Sequence, residues 1–539
     1  MKNRIKQYLL AASMCVGLTA CSDFFEPIPG VQFGLDETFA SKQRTEEYLN
    51  NVYSYVREVT DAIHPNTYGG IFTEASLDGA NRWNKTYAEW TNGSFNSASA
   101  QASEYFSKYY QAIAKASTFI QNVDKCTEAA ASTRGKWKSE ARALRAYYYF
   151  ELLRLYGPIP LIGEDPIPLD ASLEELIKER NSVDECVNFI ATELQSAIDS
   201  GDLLQRAGKA NLGRMDVATC MALKAKLYLY WASPLFNGNT DQASVKNKDG
   251  KQLFPQTEDN SKWAQARDAY ERFMTFATGQ GYKLTEVYTN GKLDPYASCR
   301  AAGEFFTTTW EAVDELIFVK LRDLYDYTYW VCPKFTDFQD TDVTGGGGYY
   351  TTQETVDLFF TKDGLTIEED PGYDKFEGIP GANNFTSGRY YDPNNPSRLY
   401  FDADKSKVLK QWKDREPRFY VNITYSGSIW LNEGKYNEEM RTDFTNGANG
   451  TCGKSKASGD CPDSGYLIRR GAKASNNNGS KHFSPVLRLA DMYLGYAEAL
   501  CMCSDLDNAL TYLNKIRVRA GIPEYTFTAT AGKITCPKT

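Results

Sequence analysis

Three polar stretches of the chain carry flat aromatic side chains. They are Asn81-Arg82-Trp83-Asn84-Lys85-Thr86-Tyr87-Ala88-Glu89-Trp90, the run holding Tyr325, Tyr327, Tyr329 and Trp330, and the surroundings of Trp430. A sugar ring has an apolar C–H face and a polar rim. An exposed indole or phenol covers that face, while groups such as Asn81, Arg82 and Asn84 bond the hydroxyls. Tyr, Phe and Trp make up 14% of the residues, so there is a competing reading in which the same rings pack loops onto helices. On sequence alone both readings stand.

Bond-breaking chemistry has little support. Only two histidines occur, His64 before Pro65 and His482 in a polar stretch, and both read as solvated. Neither His-Glu-x-x-His nor Gly-x-Ser-x-Gly is present. Ala448 to Ser455 match a relaxed phosphate-loop pattern, but the flanks are polar loop, where a phosphate loop needs a buried strand before it and a helix after it. Asp337, Asp340 and Asp342 offer oxygen ligands for calcium, yet their spacing fits no known loop, and a solvated acidic loop is the plainer reading. Two carboxylates can converge in a fold for glycoside hydrolysis, but no local pattern favours a pair. The expectation is therefore binding without catalysis, with no metal and no cofactor.

The N-terminus points outside the cytoplasm. Lys2, Arg4 and Lys6 precede a short apolar run, Tyr8 to Leu18. That run is too short to span a bilayer and reads as a secretory signal over residues 1–20. It ends Leu18-Thr19-Ala20-Cys21, which resembles a bacterial lipobox, so Cys21 is the expected lipidation site. Acyl chains contribute about 0.8 kcal/mol per buried CH2, and two or more anchor a protein stably. Asp23 and Glu26 resemble a surface-export signal. The formal charge is −9. Such an acidic chain is a poor nucleic-acid ligand, because phosphate binding needs clustered Lys and Arg. Of twelve cysteines, Cys452 and Cys461 flank a polar loop and are the best candidates for a bridge. Cys126, Cys186 and Cys220 fall at apolar helical positions and read as core.

The elements that must position the aromatic loops are mainly helical. Tyr48, Leu49, Val52, Tyr53 and Val56 make one face, and Tyr109, Ile113, Ala116 and Ile120 another. Ser182-x-x-Glu185 is a capping box ahead of Val183, Cys186, Ile190, Leu194 and Ile198. Residues 485–521 read as two helices, with Ser504-x-x-Asp507 capping the second and Gly521 ending it before Pro523. Gly495, Ala497, Ala499 and Ala509 would let helix axes approach closely. Helix pairs of this kind resemble degenerate tetratricopeptide repeats, in which each pair buries its face on its neighbours. The expected scaffold is 38–281 plus 485–521. Between them, 282–484 is rich in Gly, Asn, Asp and Thr and reads as an irregular lobe with a few short strands, such as one over 421–425.

Two long blocks carry a family resemblance. One is Pro485 to Pro523. The other is Ser139 to Gly163, with Ala-Leu-Arg-Ala-Tyr-Tyr-Tyr-Phe-Glu-Leu-Leu-Arg-Leu-Tyr-Gly-Pro at its centre. With the shorter Thr361-Lys362-Asp363-Gly364 and Arg415-Glu416-Pro417-Arg418-Phe419-Tyr420, they resemble the SusD/RagB family over roughly residues 21–523. The resemblance implies a mainly α fold and a non-enzymatic, lipid-anchored outer-membrane protein. Such a protein would offer oligosaccharide to a SusC-like TonB-dependent transporter. Peptide capture and, at greater remove, a surface glycoside hydrolase are the alternatives. Past Gly521 the family usually continues into a further helical segment, whereas Ile522 to Thr539 are Thr- and Ala-rich.

Overall fold

Apolar residues at helical spacing need partners, and in this chain each long helix finds one in the next. The computed structural model describes residues 34–57, 79–81, 93–163, 167, 171–303, 313–323, 329–335, 345–375, 380–431, 440–445, 452–453, 459–472, 481–528 and 533–535. Its helices are α1 (Leu35–Ala40), α2 (Lys42–Ser54), α3 (Ala100–Asn122), α4 (Ala131–Tyr156), α5 (Leu173–Leu176), α6 (Val183–Asp199), α7 (Val217–Ala232), α8 (Ser261–Gly279), α9 (Pro295–Gly303), α10 (Gln353–Asp357), α11 (Pro417–Asn422), α12 (Leu489–Met502) and α13 (Leu506–Arg519). Helix α3 lies on α4, α4 on α6, α6 on α7, and α7 on α8. Then α12 packs on α8 and α13 on α12, although some 210 residues separate α8 from α12 in sequence. The fold is mainly α, a tetratricopeptide-like stack interrupted once by the lobe.

Helix α4 is buried nearly all round over its C-terminal half. Tyr147, Tyr148, Tyr149 and Phe150 are all core residues. Two of the tyrosine hydroxyls keep partners where burial would otherwise penalise them: Tyr148 donates to the Val52 carbonyl (2.5 Å) and Tyr149 to the Ile162 carbonyl (2.8 Å). Arg145, wholly buried, pairs with Glu193 of α6 at 2.7 Å and donates to Ser117 of α3 at 3.0 Å. The helix stops where Gly157 takes a φ of +66°, a left-handed turn that glycine adopts without a Cβ clash. The capping box at Ser182 and Glu185 forms as its spacing predicts. Gly495 faces α8 so closely that a Cβ there would stand 2.2 Å from the Tyr270 hydroxyl. Cys126, Cys186 and Cys220 are buried, in accord with their helical positions.

Four local expectations are corrected. Residues 485–488 belong to a strand rather than to the start of α12, which begins at Leu489. They extend β10 (Lys481–Arg488), which pairs antiparallel with β4 (Leu316–Asp323); His482 therefore lies in a strand rather than a loop. Asp505, not Ser504, caps α13, by accepting from the Asn508 amide at 3.4 Å. Ser504 takes a φ of +64° and turns the chain between the helices. Val421 and Asn422 form the last residues of α11, and the strand there, β8, is only Ile423–Tyr425. Finally, no disulfide joins Cys452 to Cys461. Cys452 is drawn into an apolar cluster with Val331 and Met440, and its amide bonds the Asp443 carbonyl, while Asp460, beside Cys461, pairs with Lys334.

The lobe meets the stack at a polar junction built from the short sequence motifs. Thr361 bridges Arg415 through backbone. Arg415 donates to the Val356 and Phe359 carbonyls at 2.7 Å each. Arg517 of α13 donates to the Gly364 carbonyl (2.9 Å), and Arg519 grips Glu315 with contacts at 2.9 and 2.8 Å. Gly521, at φ +76°, lets the chain pass Pro295 and Pro417; a Cβ there would sit 2.7 Å from Pro295. The antiparallel pair of β4 and β10 is pinned to the stack through Lys320, whose ammonium donates to the Tyr53 and Ser54 carbonyls at 2.9 Å each.

Candidate functional site

The aromatic segments that converge do so through four glycines. Residues 329–331 form one helical turn, and the backbone of 345–348 lies directly on it. The amides of Gly346, Gly347 and Gly348 donate to the carbonyls of Tyr329 (2.8 Å), Cys332 (2.9 Å) and Trp330 (3.1 Å). A Cβ on Gly346 would stand 2.4 Å from the Trp330 ring, and one on Gly345 2.3 Å from the Tyr329 carbonyl. Real Cβ atoms do not come so close, so the glycine run is what allows backbone to cover an indole edge. In the sequence this run reads only as low complexity; its position between two aromatic stretches was the available signal.

Strand β5 (Tyr349–Tyr350) leaves that run and enters a four-stranded antiparallel sheet ordered β1, β5, β9, β8, where β1 is Ala80–Asn81 and β9 is Tyr466–Ile468. Tyr350 faces Ala80 and Tyr349 faces Asn81. The backbone of Asn81, first residue of the 81–90 aromatic stretch, is thus fixed beside the strand that follows the Tyr329–Trp330 turn. Two regions more than 200 residues apart share one sheet.

The candidate side chains differ in burial. Tyr329 and Trp330 are partly exposed and meet edge to face, centroids 4.9 Å apart at 79°. Trp330 rests on a cluster containing Val331, Phe335, Tyr349 and Met440, which holds the indole while part of it stays open to solvent. Trp430 does not fit its expected role. It is 1% exposed in the same cluster, with the Arg469 guanidinium 5.6 Å above its ring. An indole so enclosed offers no face to a ligand and serves as the floor beneath Trp330. Burial lowers the affinity of Arg469 for its proton, and its guanidinium donates to the Ile429 carbonyl at 2.8 Å. Arg82, Trp83, Tyr87, Trp90, Tyr325 and Tyr327 lie outside the described residues, as do Cys21, His64, Asp337, Asp340 and Asp342.

Buried carboxylates elsewhere are committed to structural partners. Glu140 accepts from Arg214 at 2.7 Å and from the Tyr53 hydroxyl at 3.0 Å; burial nevertheless raises its pKa above the usual range. Asp294 and Asp392 share Arg398 at 2.9 and 2.6 Å. Among the described residues no group of three or more His, Cys, Asp or Glu could hold a metal ion, and no helix is long and apolar enough to cross a membrane.

Residues 32–229 match the family described as starch-binding associating with outer membrane, and residues 315–535 match the SusD family. The chain belongs to the SusD/RagB family. A SusD-like protein of Bacteroides ovatus is 27% identical over 175 residues, an overlap of 31% of this chain and 30% of that protein's length. The solved structure of the protein named BT4246 superposes with a TM-score of 0.72 at 24% identity, over 91% of this chain and 84% of that one. A SusD-like carbohydrate binding protein from Bacteroides fragilis superposes with a TM-score of 0.61 at 18% identity, over 93% and 82%. At these identities the solved structures establish the shared SusD-like fold.

Proposed function

We propose that this SusD/RagB member is a cell-surface glycan-binding lipoprotein. Lipid on Cys21 holds it to the outer membrane, and it captures oligosaccharide and passes it to a SusC-like TonB-dependent transporter without breaking a bond. The observation that carries the reading is the pairing of β1 with β5. It sets Asn81, where one aromatic stretch begins, beside the strand leading from the Tyr329–Trp330 turn. The family's description as starch-binding at the outer membrane and the carbohydrate-binding relative from Bacteroides fragilis support the ligand class.

Mechanistically, a partly exposed indole with a fixed floor loses little freedom when a sugar stacks on it. The contact needs no proton transfer and no strained intermediate. Modest affinity suits capture followed by handover, because a tightly bound ligand would not be released. The test is a glycan array on the purified protein, followed by calorimetry on the best ligand. Binding that falls at least tenfold in Trp330→Ala, with product analysis showing the glycan intact, is the expected result. A peptide ligand, or released reducing sugar, would sink the proposal. Recovery of a β-barrel protein from outer membranes in mild detergent tests the transporter partnership.

A further inference from the structure

A cavity of about 430 Å³ lies in the stack, between α3 and the segment that follows α4. That volume is within the range that takes a small molecule. Phe106, Tyr110, Ile113 and Ser117 form the α3 wall. Their spacing puts them on one face of the helix, and the wall runs along about 16 Å of its axis. Pro160, Ile162, Leu176 and Ile177 supply the opposite wall. Leu176 ends α5 and Ile177 follows it; they are 51% and 68% exposed, and Phe106 is 37% exposed. Leu173, one turn earlier on the same face of α5, is 74% exposed. Single exposed apolar residues are ordinary, but four gathered at one concave site mark a surface that something covers.

The chemistry of the walls narrows the occupant, because their polar groups are already used within the chain. The Tyr110 hydroxyl donates to the Pro160 carbonyl at 2.7 Å. The Ser117 hydroxyl accepts from Arg145 at 3.0 Å. Ile162 bonds the Tyr149 hydroxyl through both its amide and its carbonyl, at 3.0 and 2.8 Å. A sugar or a peptide backbone entering here would leave its own hydroxyls or amides unbonded, so the walls suit a hydrocarbon chain. Lys178 is the one charged side chain among the described lining residues, and it is exposed. The neighbouring carboxylate, Glu175, is held by the Ser172 amide and hydroxyl at 2.8 and 2.9 Å. An exposed ammonium beside an apolar groove complements an anion at the end of an apolar chain.

We propose that this groove binds a fatty acid, with its alkyl chain between α3 and α5 and its carboxylate at Lys178. A chain of roughly a dozen carbons, at about 1.5 Å per C–C bond, matches the length of the α3 wall. Its methylenes would cover Phe106, Leu176 and Ile177, which otherwise face water. The groove is separate from the aromatic surface of the lobe, and the inference does not rest on the glycan reading.

The test is calorimetric titration of the purified full chain with sodium decanoate, kept below micelle-forming concentrations, at two temperatures. One saturable site with a negative heat-capacity change is expected, the mark of buried apolar surface. Ala114→Trp places an indole in the groove from an exposed position on α3 and should abolish the binding. Ile177→Gln should weaken it about tenfold. Lys178→Gln should weaken decanoate about two- to fivefold, the range of an exposed ion pair, and leave 1-decanol unaffected. Trp330→Ala should change none of these. Absence of a saturable site in the unmodified protein overturns the proposal without any variant. So does binding that Ala114→Trp and Ile177→Gln leave unchanged while circular dichroism shows both folded. Equal effects of Lys178→Gln on decanoate and 1-decanol overturn the placement of the carboxylate.

Discussion

The helical stack and the irregular lobe solve the same problem, burying aromatic residues, by opposite means. In the stack the periodicity of one helix selects the face, and, except where α8 meets α12, the partner lies next in sequence or one helix beyond. Tyr148 of α4 reaches Val52 of α2, and Arg145 reaches Glu193 of α6. In the lobe, partners come from other loops and strands, and backbone packs on ring, strand on strand and ring on ring. The glycine run covers Trp330, β1 joins β5, and Tyr400 stacks on Tyr420 at 3.9 Å. The stack is therefore tolerant of surface change and intolerant of lost core volume. The lobe is intolerant even of a single added methyl group where backbone meets ring.

That contrast can be broken most severely from the stack side. Glu193→Ala leaves Arg145 buried with Ser117 as its remaining partner, and should cost about 3–5 kcal/mol; denaturant unfolding followed by far-ultraviolet circular dichroism measures it. Trp430→Ala empties the floor of the lobe and should cost about 3–5 kcal/mol. Its signature should be loss of the near-ultraviolet aromatic signal before the helical signal, and coincident transitions would show that lobe and stack are one cooperative unit. Gly346→Ala forces a Cβ into the Trp330 ring and should cost about 1–3 kcal/mol, together with glycan affinity. Trp330→Ala should cost only about 1 kcal/mol of stability, because part of the ring is already in water, while abolishing most of the affinity.

The smallest effects are electrostatic and lie at helix starts. Asp216 caps α7 by accepting from the Thr219 amide at 2.7 Å, and burial raises its pKa to about 6. The folded state holds that proton more tightly than the unfolded chain, so this group's contribution favours folding increasingly as pH falls from about 6 toward 4. Glu185 behaves oppositely. Its bonds to Lys251 and to the Ser182 amide lower its pKa to about 2, so its stabilisation is present above the ordinary carboxylate pKa and is lost as pH falls toward 2. Unfolding midpoints measured against pH should lose the first component in Asp216→Asn and the second in Glu185→Gln. A midpoint profile unchanged by Asp216→Asn would show that the buried carboxyl keeps its ordinary pKa.

Periodic spacing, capping pairs and chain-ending glycines are local signals, and they determined most of the stack. Ser182 with Glu185, and Gly521, act where they were read, because a helix satisfies its hydrogen bonds within a few residues of itself. Residues 485–488 escaped that reading, since only pairing with β4 makes them a strand and that partner lies some 165 residues earlier. The fate of the candidate rings was likewise a tertiary decision. Trp330 and Trp430 sit in similar polar sequence, yet one is left partly open and the other becomes floor. Sequence names the residue types able to hold a sugar, but exposure depends on which distant backbone comes to cover each ring, and that is settled only when the sheet closes.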